Sequence, residues 1–410
     1  MPGRASQAFL KTIFDIAVER CGKEFENEVV FLRRERERLL RDSWRELPPE
    51  ELPPSGEEEV FREIDFDTVV AHSARYLETH DYLAFLFDVA ERAIGSGEFE
   101  KAPRLLTLIV TRYPRSADKS LLARSHQRLG DVAFYQNDPR KAREKYRQSL
   151  NLYERLEDPE GIASVTNSLA SLMVEGGKVP EAERLFIQAR KLAEDHGLRE
   201  LTLKIECNLG NLYLMQGAWG KAVTSYEKAL AANPDTPTRA RIHHNLGLVY
   251  AWRENYDRAV KNLETSVELS TEVNDLYQKG LSYLGLAEVL CHRGDFSRAT
   301  ALATTAFQIF SELGDRLSVA EVYKVFGIIN RERDRPDVAL SYFENSIRIN
   351  KDYKNPLNLG ETLQELAELH RKSGDIRKAR KSLKEAIGAF KETGAREKMA
   401  AVRAILASLE

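Results

Sequence analysis

A small residue recurs along the chain at an almost constant interval, and this recurrence limits the possible folds more than any other feature. The eight positions are Ala90, Gly130, Ala170, Gly210, Gly247, Ala287, Gly327 and Ala367. Six of the seven steps between them are 40 residues, and the remaining step is 37. An alanine stands twelve residues after each position, from Ala102 to Ala379, and a large apolar residue stands directly before each. A register kept over eight units indicates one supersecondary structure repeated in tandem.

Each unit has the pattern of two antiparallel helices. Apolar residues recur at three- and four-residue spacing in both halves, and no long alternating β-branched run occurs. Glycine in mid-helix costs about 1 kcal/mol relative to alanine, so its recurrence at this register indicates close packing of the two helices. Seven residues after the small positions stand Gly97, Asn137, Gly177, Gly217, Glu254, Gly294, Asp334 and Gly374. Most of these residue types accept the left-handed conformation that ends a helix, so the turn of each unit is predicted there.

The segment NLGNLYLMQGAWGKAVTSYEKALAANP, residues 208–234, resembles the tetratricopeptide repeat consensus nearly residue by residue. The resemblance covers about residues 83–410, but most units here are 40 residues long, whereas the most common family period is 34. In this longer form the array resembles kinesin light chain and related polarity scaffolds. The resemblance implies an all-α, right-handed superhelical solenoid of about eight helix pairs.

The sequence predicts the following segments: an N-terminal helical extension at 1–46, a linker at 47–59, a leading helix at 60–82, eight repeat units at 83–394 and a C-terminal capping helix at 395–410. The linker, LPPEELPPSGEEE, contains four prolines and five glutamates and almost nothing to bury. The run at 33–45, interpreted as the only locally basic helix, interleaves six arginines with three acidic residues. Because intrahelical pairs absorb much of its charge, we expect it to dock on the repeats or to self-associate with another chain, and not to bind nucleic acid or a membrane.

Composition argues against several other classes of protein. The formal net charge is only −3, so bulk attraction to nucleic acid is not expected. The three cysteines (Cys21, Cys207 and Cys291) lie far apart, which argues against a disulfide framework or a zinc ribbon. No signal-peptide pattern or membrane-spanning apolar stretch is visible, so a soluble cytoplasmic protein is predicted. The sequence also lacks nucleotide-binding, metalloprotease and hydrolase motifs, so we expect no catalytic activity, no metal and no cofactor.

The resemblance implies that certain side chains of each first helix line a concave groove. The candidate groove residues are Arg124, Arg128, Tyr135, Asn167, Lys204, Asn208, Asn211, Arg241, Asn245 and Trp252. The asparagine amides could hold a peptide backbone or could brace neighbouring repeats. The cations could capture an acidic group or could be ordinary solvated charges. Exposed Trp252 and Tyr135 would be suitable binding anchors.

Two functions are consistent with this pattern. The first is a non-catalytic adaptor or scaffold that holds a peptide or helix of another protein in the groove. The alternative rests on a resemblance to the Rap-type bacterial quorum regulators, in which a groove-bound peptide repositions an N-terminal helical region. Whether the N-terminal helices dock against the repeats and move on peptide binding distinguishes the two.

Overall fold

The computed structural model describes residues 7–44, 66–96, 100–113, 118–393 and 395–409, and all twenty regular elements in these ranges are α-helices. The predicted linker at 47–59 lies outside the described residues. The helices are α1 Gln7–Cys21, α2 Lys23–Trp44, α3 Phe66–Tyr76, α4 Thr79–Gly95, α5 Lys101–Arg112, α6 Lys119–Tyr135, α7 Pro139–Leu156, α8 Pro159–Glu175, α9 Val179–Asp195, α10 Arg199–Met215, α11 Trp219–Ala231, α12 Thr236–Trp252, α13 Tyr256–Glu272, α14 Leu276–His292, α15 Phe296–Glu312, α16 Arg316–Glu332, α17 Pro336–Asp352, α18 Pro356–Lys372, α19 Ile376–Thr393 and α20 Arg396–Ser408. Helices α4 to α19 are eight consecutive pairs, as the repeat predicts. The chain forms two compact units, residues 1–172 and 173–410, with the boundary inside α8.

The packing at the repeat register explains the small residues. The alanine twelve positions after each small residue is completely buried in every pair. A Cβ added to Gly130 would lie 2.5 Å from the Tyr146 ring, and one added to Gly327 would lie 2.5 Å from the Phe343 ring. At both glycines the second helix therefore places an aromatic ring directly over the backbone of the first, which leaves no room for a Cβ.

The turns inside the pairs are also where the sequence predicts them. Seven predicted positions, all except Gly97, which lies outside the described residues, have positive φ: Asn137, Gly177, Gly217, Glu254, Gly294, Asp334 and Gly374. A second series of residues with positive φ lies at the turns between pairs: Glu157, Gly197, Asn233, Asn274, Gly314 and Lys354. The single 37-residue step is accommodated by α11, which has 13 residues, whereas most other repeat helices have 17.

In the first unit, helices α1, α2 and α3 pack together and against α4. Ile13 and Ala17 of α1 and Phe25 of α2 are buried in the same core as Leu83 and Leu86 of α4. The leading helix differs from the expectation of one element to residue 82. It ends at Tyr76, and α4 begins at Thr79, because extended backbone at Glu78 (φ −61°, ψ 158°) starts the next helix.

In the second unit, successive helices from α9 to α20 pack in order. The terminal helix α20 places Val402, completely buried, in a cluster with Leu383 and Phe390 of α19. Helix α20 therefore covers the apolar side of the last pair.

Candidate partner-binding surface

Helices α10 and α12 of the second unit contact each other and present equivalent faces. The positions six and two before the small residue, and one and five after it, are spaced by four, three and four residues, so they form one stripe along a helix. On α10 they are Lys204, Asn208, Asn211 and Met215, and on α12 they are Arg241, Asn245, Leu248 and Trp252. We call these eight residues the α10–α12 face. None of them is buried.

The α10–α12 face is cationic at one end. Lys204 and Arg241 are exposed, and neither forms an ion pair with any residue that the structure describes. One terminal nitrogen of Arg241 donates a hydrogen bond to the Thr238 hydroxyl at 3.2 Å. The other guanidinium nitrogens have no hydrogen-bond acceptor among the described residues, so they and the Lys204 ammonium can bind an anionic group.

The other end of the face is apolar. Met215 is 63% exposed and Trp252 is 65% exposed, unusually high fractions for large apolar side chains. The Trp252 ring stacks on Trp219 of α11, with centroids 5.7 Å apart and planes inclined by 8°. This stacking fixes the ring while leaving its other face open to solvent. The sequence pattern predicts Trp252 on a groove stripe, and the structure adds its stacking on Trp219.

The asparagines between the two ends brace the repeats. Oδ1 of Asn211 accepts hydrogen bonds from the Tyr226 hydroxyl at 2.7 Å and from Nδ2 of Asn245 at 3.0 Å. Asn208 is half-buried and has interactions within the chain. Of the two interpretations that the sequence left open, bracing therefore describes the structure at Asn211 and Asn245.

Arg128 has the same bracing role in the first unit. Its guanidinium donates to both carboxylate oxygens of Glu91 in the preceding pair, at 2.6 and 3.0 Å, and to Asp131 at 2.9 Å. Burial opposes the charge, but the two carboxylates outweigh it and raise the pKa of Arg128. Asp131 also accepts from the Tyr146 hydroxyl at 2.8 Å. Arg128 is thus occupied by carboxylates of its own chain.

The contact of Asp131 with Tyr146 is equivalent to that of Asn211 with Tyr226. In both, the residue directly after the small position accepts a hydrogen bond from the tyrosine that stands sixteen residues after the small position. The sequence analysis missed this motif. A glycine followed by Asp or Asn, with tyrosine fifteen residues further on, was the signal that could have revealed it.

The other candidate groove residues in the first unit differ in the exposure of their side chains. The Arg124 guanidinium lies 4.5 Å from the centroid of the buried Phe87 ring, which is within cation–π distance. Tyr135 is exposed and meets Phe134 edge to face. Asn167 contradicts the expectation of a groove residue, because it is only 2% exposed and has interactions within the chain.

The acidic residues near the end of the second unit form an internal ion network. Lys324, only 8% exposed, lies between Glu321 at 2.6 Å and Glu361 at 3.0 Å. Glu361 also pairs with Lys398 of α20. Burial would raise the pKa of Glu361, but the two lysines outweigh it and lower that pKa to about 2. These charges therefore compensate one another instead of forming a free acidic surface.

The described ranges contain neither a metal-binding cluster nor a membrane-spanning helix. No group of three or more His, Cys, Asp or Glu residues in them could hold a metal ion. None of their helices combines the length and apolar character needed to cross a membrane.

The repeat is that of a known family. Models of the tetratricopeptide repeat match residues 161–235, 238–312, 278–352 and 360–392. Together these segments cover more than half of the chain, and the chain belongs to the tetratricopeptide repeat family. Repeats of this family typically mediate protein interaction and not catalysis. The finer resemblance to kinesin light chain and polarity scaffolds stays a prediction.

Individual relatives are distant. The 43 kDa receptor-associated protein of the synapse from Tetronarce californica is 24% identical over 297 residues, which span 71% of this chain. The chain covers 66% of the length of that relative.

The chain also resembles solved Rap structures. The apo form of RapI superposes with a TM-score of 0.63 at 13% identity, covering 80% of this chain and 92% of RapI. The Rap conjugation gene regulator of plasmid pLS20, in complex with the Phr* peptide, superposes with a TM-score of 0.55 at 14% identity, covering 76% and 93%. At these identities the likeness extends to the fold alone. Membership of the family supports a protein-interaction scaffold.

Proposed function

We propose that the chain is an adaptor whose α10–α12 face binds a short segment of a partner protein carrying an acidic residue and an apolar or aromatic residue. One observation carries the proposal: two unpaired exposed cations and two exposed large apolar side chains lie at opposite ends of the same stripe. The cations would bind the carboxylate, and Trp252 with Met215 would cover the apolar side chain.

The dimensions of the face set the spacing of the motif. Eleven residues separate Lys204 from Met215, and likewise Arg241 from Trp252. At 1.5 Å per helical residue this is about 16 Å, the length of about five residues of extended peptide. A bound segment lying along the stripe would therefore carry its acidic and apolar residues about five positions apart. The hydrogen bond between Asn211 and Asn245 joins α10 to α12 and would hold the two halves of the face side by side.

Peptide selection followed by charge reversal tests the proposal. Random twelve-residue peptides displayed on phage would be selected on the purified full chain, and the selected peptides would be labelled for fluorescence anisotropy. We expect an acidic residue and an aromatic or large aliphatic residue about five positions apart. Lys204→Glu with Arg241→Glu should weaken binding at least about tenfold, since a charge-assisted hydrogen bond contributes roughly 1.5 to 3 kcal/mol.

A matched control distinguishes an effect of the α10–α12 face from an effect of the chain's net charge. Lys191→Glu with Lys261→Glu makes the same charge change at exposed positions on α9 and α13, outside the face. This control should bind like the unmodified chain. Selected peptides without an acidic residue, or equal binding by the Lys204/Arg241 variant, would refute the proposal.

A second candidate, the peptide-sensing regulator, is favoured by the contacts of α1. Arg20 forms an ion pair with Asp88 of α4, and Asp88 stands two residues before the small position, the register of Asn208 and Asn245. An N-terminal helix thus occupies the corresponding face of the first pair. Self-association through these helices stays a prediction.

Hydrogen exchange distinguishes this candidate from a passive adaptor. A regulator should lose protection over the described part of 7–44 when a selected peptide binds, because its N-terminal helices would leave α4. An adaptor should change only around α10 and α12. Unchanged exchange at 7–44 with saturated binding would eliminate the regulatory function.

A further inference from the structure

One side of α7 in the first unit carries a cleft that shares no residue with the α10–α12 face. Its cavity volume is about 640 Å³, and it is lined by His126 of α6 and by one side of α7, including Arg140, Arg143, Glu144 and Arg147. We call it the α7 cleft. Helix α7 contains six basic and two acidic residues, so the sequence interpretation of 33–45 as the only locally basic helix was wrong.

The three arginines of the α7 cleft have no partner in the described part of the chain. None forms an ion pair or a hydrogen bond with a described residue, although Arg143 is only partly exposed. The one acidic residue in the lining, Glu144, is instead contacted by Lys145 at 3.4 Å and by Gln148 at 3.2 Å. Three arginines against one glutamate leave the lining with a net charge of +2.

Two buried polar atoms at the cleft also lack a hydrogen bond. They are Nε of Arg143 and Nδ1 of His126. A buried nitrogen without a partner costs roughly 1 to 3 kcal/mol, so such atoms usually find a protein, water or ligand partner. Burial and the nearby Lys145 lower the pKa of His126 to about 4, so at neutral pH the positive charge of the cleft comes from the arginines.

We propose that the α7 cleft binds a phosphoserine or phosphothreonine side chain of a partner protein. A phosphate monoester carries about −1.5 to −2 charges and three strong acceptor oxygens at pH 7, which match the net charge and the unpaired guanidinium donors. A carboxylate offers one charge and two oxygens and would leave half of the net cationic charge uncompensated. The volume lies within the ordinary range of ligand sites, and it accommodates a modified side chain with a few flanking residues.

The test uses the full chain and two oriented libraries of nine-residue peptides, one with a central phosphoserine and one with serine at that position. The phosphoserine library should be retained, and the serine library should bind at least about tenfold more weakly. Arg143→Gln with Arg147→Gln should weaken phosphopeptide binding at least about tenfold. Lys141→Gln with Arg155→Gln removes the same charge from exposed positions of the same helix outside the cleft, and this control should bind normally.

A second measurement keeps the test valid if the arginine variant loses helix content by circular dichroism. In the unmodified chain, phosphopeptide should shift the imidazole NMR signals of His126, and those of the exposed His196 should stay in place. Equal binding of both libraries, or an unshifted His126 at saturation, overturns the proposal. Inorganic phosphate that binds as tightly as the phosphopeptides would indicate a free-anion site, and arginine-dependent displacement by single-stranded RNA would indicate a polyanion site; either outcome also overturns it.

Discussion

Gly210→Ala tests the packing that defines the repeat. A Cβ at residue 210 would lie 2.4 to 2.8 Å from three atoms of the Tyr226 ring. That ring is completely buried, and its hydroxyl is held by the Asn211 amide at 2.7 Å. Because the ring cannot move outward without losing this hydrogen bond, the added methyl group must displace α11 from α10.

Two opposing contributions, helix propensity and overpacking, determine how much the free energy of unfolding changes. Replacing a mid-helix glycine with alanine gains about 1 kcal/mol of helix propensity. Overpacking a full core costs about 1 to 3 kcal/mol, and loss of the Tyr226–Asn211 hydrogen bond adds about 1 kcal/mol. We expect Gly210→Ala to lower the free energy of unfolding by about 1 to 3 kcal/mol, although alanine is the better helix former.

Urea unfolding followed by tryptophan fluorescence reports on this region, because Trp219 and Trp252 lie on α11 and α12. The control is Gly388→Ala in α19, where an added Cβ meets no atom within 4 Å. That variant should gain about 0.5 to 1 kcal/mol. A Gly210→Ala chain as stable as the original would contradict the close approach.

Three further predictions concern other contacts. Asn245→Ala should lower the free energy of unfolding by about 1 kcal/mol in urea, because it removes the hydrogen bond to Asn211; an unchanged midpoint would mean that the brace contributes nothing. Burial lowers the pKa of His244 to about 4 from its ordinary value of 6.5, so the folded state binds fewer protons than the unfolded state between these values. Stability should therefore be full above pH 6.5 and fall by up to about 3 kcal/mol toward pH 4. His244→Gln should flatten that slope in pH-dependent urea unfolding, and a control His196→Gln should not; equal slopes in both variants would contradict the assignment. Phe25→Ala should cost about 3 to 5 kcal/mol, because this ring is completely buried, and limited proteolysis should then cut within α1 or α2; unchanged resistance would show that the ring does not hold these helices.

The sequence predicted the repeat fold because its packing depends on local rules that repeat. A glycine beneath Tyr146 or Phe343 and a completely buried alanine twelve residues later leave a periodic signature. The left-handed turns leave another, since residues such as Asn137 and Gly177 tolerate positive φ. The break between α3 and α4 left no comparable signature, because neither glycine nor proline marks residues 77 and 78. It was therefore missed.

The candidate site was harder to predict, because a register specifies which way a side chain points but not what it meets there. Arg128 and Arg241 have the same kind of side chain on first helices of different pairs. Arg128 forms an ion pair with Glu91 of the preceding pair, so its charge is neutralised within the chain. Arg241 forms only a hydrogen bond to a threonine hydroxyl. Arg128 stands two residues before its small position and Arg241 stands six before its own, and the partner that each meets depends on the neighbouring residues in space as well as on this register.

The same reasoning explains why the α7 cleft is absent from the groove interpretation. Its arginines lie on a second helix, which the family pattern assigns to packing and not to binding. Their charge becomes evident only when the hydrogen bonds and ion pairs of the lining are known, because Glu144, the single acidic residue of the lining, is already held by Lys145 and Gln148. In a repeat protein, each internal ion pair therefore removes a cation from the set available to a partner. Among the cations without an ion pair to a described residue, Lys204 and Arg241 share a face with exposed apolar side chains, and the three α7 arginines share a cleft; binding by charge is expected at these two places.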